Sequence, residues 1–143
     1  MATIANTAHS FNFPLEVQEA YTLGDCWLLA ETIHKMTGHP IVTTQWEELE
    51  ESNWSHAGNR LPDGQILDII GIWSEEEWLE HWHQNDDTYH IPREARIMFA
   101  KEWNLTDWTE ELLNVDAGIN YPDTAAHVTS YAKVMLDILN YNP

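Results

Sequence analysis

The chain has 143 residues, 43% of them hydrophobic, enough for one domain with its own core. Six Lys and Arg against 24 Asp and Glu leave a formal net charge of −18, a surface that repels phosphate backbones, so direct nucleic-acid binding is not expected. A single cysteine excludes an internal disulfide and suits a reducing compartment.

No repeat or linker divides the sequence, so one α+β domain over residues 1–143 is expected, with 1–13 as a loosely ordered arm. That arm has neither a basic n-region nor an apolar h-region, and no apolar run approaches the ~18 residues of a membrane span. A soluble, cytoplasmic protein follows as the expectation.

Residues 14–21 suit a short helix or turn. Gly24 and Asp25 then supply a turn and an N-cap position, and Trp27, Leu28, Ala30, Ile33, His34 and Met36 recur at helical spacing until Gly38. A helix is therefore predicted from Asp25 to Thr37, followed by a strand after Pro40. The acidic stretch from Trp46 to Ser52 reads as a loop or short helical turn. Pro62-Asp63-Gly64 lies between two short runs, a hairpin signal that predicts strands at about 55–61 and 65–70, with Leu61 opposite Gln65.

Ser74 followed by three glutamates opens a helix to about Gln84. Further helices are predicted from Pro92 to Trp103 and from Thr106 or Asp107 to Asn114. A last helix should run from Asp123 to Leu139, with Val128, Tyr131, Val134, Met135 and Ile138 on its apolar face. The expected architecture is an N-terminal nucleophile-type helix packed on a small antiparallel sheet, with a helical C-terminal half.

Three residues in this layout carry chemistry together. Cys26 falls in the first turn of its helix, where the dipole and free N–H groups favour a thiolate. Asp25 beside it works the other way, because a neighbouring carboxylate disfavours a second negative charge. A histidine partner is needed, and His56 lies on the first hairpin strand. In the three-residue-turn register Asp68 faces Gly58, which makes His56 and Asp68 diagonal neighbours on one face. A slip of one residue would separate them. Gly58 is expected to leave room for the imidazole. Each residue alone has a plain structural role, since free cysteine is among the most buried residue types. The combination points to nucleophile, base and orienting carboxylate.

The octapeptide Leu23 to Ala30, "LGDCWLLA", resembles the active-site cysteine box of calpain-type thiol proteases in the papain-like superfamily. "HAGNRLPDGQILDIIG" followed by "SEEEWLEHW" is similar to a pattern in small phage and bacterial proteins. The order Cys, His, Asp is also similar to transglutaminase-like and arylamine acetyltransferase folds. The resemblance spans roughly residues 23–83 and implies a catalytic triad of Cys26, His56 and Asp68. It departs from the papain-like pattern at the oxyanion glutamine six residues before the cysteine, where this chain has Ala20; Gln18 is the nearest glutamine.

Elsewhere the sequence points to little chemistry. His81 and His83 diverge on a helix, no third ligand stands at useful spacing, and no metal or cofactor is expected. The tryptophans read as packing anchors, and Glu75 to Glu77 as a solvated first turn. There is no Gly-rich phosphate loop and no Gly-x-Ser-x-Gly elbow. Two functions remain open. One is a thiol hydrolase or acyltransferase acting on a peptide, amide or thioester. The other is a non-catalytic acidic protein of phage-inhibitor type that engages a basic host-protein surface.

Overall fold

Six consecutive buried residues, Ile41–Trp46, form β1, and strands pair with both of its edges. In the computed structural model the described residues are 10–23, 25–47, 56–85, 97–103 and 121–141. Among them the chain forms five helices and five strands, an α+β fold with helices preceding an antiparallel sheet. The helices are α1 (Leu15–Leu23), α2 (Cys26–Thr37), α3 (Glu75–Asn85), α4 (Pro122–Ala125) and α5 (Val128–Tyr141). With β2 (Ala57–Arg60), β3 (Ile66–Leu67), β4 (Ile72–Trp73) and β5 (Met98–Trp103), the sheet order is β4-β3-β2-β1-β5.

The cysteine helix forms where its sequence places it. Asp25 occupies the N-cap position, and its carbonyl accepts from the N–H of Leu28 and Leu29. Its carboxylate makes no capping bond; it is buried and accepts the backbone N–H of Tyr121 at 3.0 Å. Gly38 ends the helix at φ 83°, a left-handed conformation that glycine adopts without a Cβ penalty. The helix buries Cys26, Leu29, Ala30 and Ile33, leaving Trp27 and Leu28 half-buried and Met36 exposed.

The hairpin register is the one the turn implies. Leu61 N–H donates to the Gln65 carbonyl at 2.8 Å, Gly64 adopts φ 92°, and Asn59 pairs with Leu67. The second strand is shorter than expected. At Asp68 the chain turns, with the carboxylate accepting the backbone N–H of Ile70 and Gly71 in an Asx-type turn, and β4 folds back on β3. Ile69 and Ile70 look strand-like in sequence but are buried turn residues.

Alternate residues of β2 meet different helices. Asn59 Nδ2 donates to the Ala30 carbonyl of α2 at 3.0 Å, whereas the Gly58 face looks toward Trp78 of α3. Helix α3 begins with a reciprocal box: Glu77 N–H donates to Ser74 Oγ at 3.1 Å, and Ser74 N–H donates to Glu77 Oε1 at 3.4 Å.

In the described residues of the C-terminal half, one expected helix gives way to a strand and another is divided. The helix expected from Pro92 to Trp103 is replaced over Met98–Trp103 by strand β5, paired with β1 from Ile41↔Trp103 to Trp46↔Met98. Ala100, Lys101 and Glu102 favour helix locally, but an open edge of a buried strand wins them through nonlocal pairing. The helix expected at 106–114 lies outside the described residues. The last helix is divided at Ala126 and His127 into α4 and α5. On α5, Ala132 and Met135 are the core positions and Val134 is exposed.

Residues 10–13 are held rather than loose. Phe11 joins the core and donates its N–H to the Ile70 carbonyl, and Gln18 Nε2 donates to the Phe13 carbonyl at 2.7 Å.

Candidate active site

Cys26 opens α2, His56 stands immediately before β2, and Asp68 follows β3. Burial governs the chemistry here, because Cys26 is only 5% exposed, His56 is fully buried and Asp68 nearly so. His56 Nε2 donates to Asp68 Oδ2 at 3.1 Å, the diagonal pairing expected from the register. The imidazole is stacked against Trp82, with ring centroids 4.0 Å apart and planes at 27°.

His56 Nδ1 is buried and meets no partner at ordinary hydrogen-bond geometry. The Cys26 side chain is nonetheless close enough to act on the ring, both by charge and as a weak hydrogen-bonding partner. Ala57, the chain neighbour of His56, packs with Cys26, Ala30, Ile41 and Trp103 on the face of β2 that meets α2.

Burial by itself pushes the His56 pKa down, since it disfavours the imidazolium. The hydrogen bond to Asp68 and the proximity of Cys26 outweigh that penalty and raise it to about 9. Burial likewise opposes ionisation of Asp68, but the bond from His56, its charge, and donors from Trp73 and Gly71 hold the carboxyl below its ordinary value. The arrangement supports a buried imidazolium between two groups able to carry negative charge.

Two further donors to Asp68 were not expected from the sequence. Trp73 Nε1 donates to Oδ1 at 3.0 Å and Trp78 Nε1 donates to Oδ2 at 3.1 Å. These tryptophans are donors to a carboxylate as well as packing anchors. The available signal was a buried acidic residue followed at short range by indoles, which can donate but not accept. The role expected for Gly58 also changes. A Cβ there would lie 2.6 Å from the Leu67 carbonyl oxygen and 3.5 Å from Trp78 Cζ2, so glycine makes room for the neighbouring strand and for α3 rather than for the imidazole.

At the position of the papain-like glutamine, Ala20 is fully buried, and the Gln18 amide is committed to Phe13. The indole N–H of Trp27, a residue packed against the Cys26 cluster, is buried without a hydrogen-bond partner among the described residues. No group of three or more His, Cys, Asp or Glu is placed to hold a metal ion among the described residues. No described helix is long and apolar enough to cross a membrane. Comparison with family models, curated proteins and solved structures gives no match, so any function must be argued from the residues of this chain.

Proposed function

We propose that the protein is a thiol hydrolase or acyltransferase that acts on an amide or thioester through Cys26, His56 and Asp68. The observation that carries this is the 3.1 Å bond of one buried imidazole to the Asp68 carboxylate, with Cys26 near enough to act on the same ring. The Cys26 proton passes to His56 Nδ1, and the sulfur attacks the carbonyl carbon while the carbonyl pair moves to oxygen. Collapse of that adduct breaks the bond to the leaving group, which takes the His56 proton, and leaves a thioester on Cys26. Water or an acceptor nucleophile, deprotonated by His56, then attacks the thioester carbonyl; the C–S bond breaks, the acyl group leaves on the acceptor, and Cys26 sulfur takes the proton back from His56.

Alkylation of Cys26 by iodoacetamide tests this without knowledge of the substrate. The expected result is fast reaction at neutral pH, slowed on the order of 10-fold or more by His56→Ala. Equal rates in the two proteins would remove the basis for a triad.

A second function is favoured by the 5% exposure of Cys26 and the complete burial of His56, which close the thiol off from bulk solvent. In that case the fold serves as an acidic binding protein in the cytosol, and its −18 charge engages a basic protein surface. Binding to such a partner then weakens steeply with salt and survives Cys26→Ala.

A further inference from the structure

The Asp68 carboxylate is more heavily bonded than the orientation of one histidine requires. Oδ1 accepts Ile70 N–H at 3.0 Å, Gly71 N–H at 3.2 Å and Trp73 Nε1–H at 3.0 Å. Oδ2 accepts His56 Nε2–H at 3.1 Å and Trp78 Nε1–H at 3.1 Å. All five partners are donors, so only the ionised carboxylate satisfies them; a protonated oxygen would turn a hydrogen toward another donor. Besides His56, two of the five are side chains from different elements, Trp73 on β4 and Trp78 on α3, and both are fully buried.

We propose that Trp73 and Trp78 are positioning residues that clamp Asp68 as an oriented carboxylate, so that His56 donates from Nε2 and keeps Nδ1 for Cys26. Each oxygen is gripped by one indole. Rotation of the carboxylate about its Cβ–Cγ bond would break both grips together with the His56 bond. The clamp makes the capped helix α3 part of the site's support: its start at Ser74–Glu77 sets where Trp78 stands, and Trp78 shares Oδ2 with the histidine. The titratable groups that act on Asp68 are His56, on its other side Cys26 through that ring, and His81 of α3, whose charge is coupled to both Asp68 and His56. Burial holds His81 toward its neutral form. The clamp stands on its own geometry; its catalytic consequence rests on the triad proposed above.

The experiment follows the Asp68 carboxyl carbon by NMR against pH in the wild type and in Trp73→Phe and Trp78→Phe, which keep an aromatic ring and remove one donor. Each variant is expected to protonate Asp68 at a pH higher by about one unit, and a Trp73→Phe/Trp78→Phe pair by more. Unchanged Asp68 titration in both single variants overturns the clamp. If neither variant folds, the wild type decides: the Trp73 and Trp78 indole protons should exchange slowly and move as Asp68 titrates, and indoles indifferent to that titration overturn it. Iodoacetamide alkylation of Cys26, read in the same proteins, separates the two ideas. An Asp68 shift with an inert Cys26 upholds the clamp and removes the triad. A reactive Cys26 with an unmoved Asp68 does the reverse.

Discussion

Asp68 and His56 set the pH behaviour of the folded state through opposite shifts. The His56 pKa is raised in the fold from 6.5 to about 9, so its contribution to stability is fully present below pH 6.5 and is lost as pH rises through 9. The Asp68 value is lowered from 3.8, so its contribution is present above pH 3.8 and is lost as pH falls through the folded value. Thermal unfolding should therefore show an alkaline decline of about 1–3 kcal/mol from His56, whereas His81, whose pKa burial lowers, takes stability away as pH falls below 6.5. His56→Gln is expected to flatten that decline, and calorimetry from pH 6 to pH 10 (roughly the span of the two His56 values) measures it. Asp68→Asn is harsher. It leaves several buried donors facing an amide, and should cost about 3–5 kcal/mol in denaturant unfolding.

Among the secondary elements, the hairpin formed by β2 and β3 decides whether the site exists. Its register depends on a three-residue turn with glycine at φ 92°, and on close approach of the strands at Gly58. Gly58→Ala puts a methyl 2.6 Å from the Leu67 carbonyl oxygen, a backbone atom that moves only if the strands part. A loss of about 1–3 kcal/mol is expected, with the His56 midpoint falling back toward its ordinary value. Denaturant titration and histidine NMR together test this, and a variant with wild-type stability and an unmoved His56 would show that the pair tolerates separation. Arg60 braces the same hairpin from outside, pairing with Glu75 at the start of α3 and with Glu102 on β5 at 2.7 and 2.8 Å.

Over the whole molecule, the −18 charge opposes compaction, since six basic residues neutralise only a quarter of the 24 acidic ones. Salt screens that repulsion, so the melting temperature at neutral pH should rise by roughly a few degrees between about 0.01 and 0.5 M NaCl. A melting temperature that falls with salt would mean that local pairs such as those of Arg60 outweigh the net repulsion. The same charge is the feature that a basic partner would read, and its steep salt dependence distinguishes such binding from catalysis at a buried thiol.

Local chemistry made much of this legible in the sequence: the α+β class, the span of the cysteine helix up to Gly38, the cap at Ser74, and a turn that aligns His56 with Asp68. These depend on neighbours a few residues apart, where dihedral preferences and short-range hydrogen bonds govern. Tertiary structure alone decided the rest. Ala100, Lys101 and Glu102 become a strand because β1 has an edge to fill, which no local propensity contains. Asp25 turns from its own helix to Tyr121, and two tryptophans become donors because a buried carboxylate must find hydrogen bonds wherever the fold brings them.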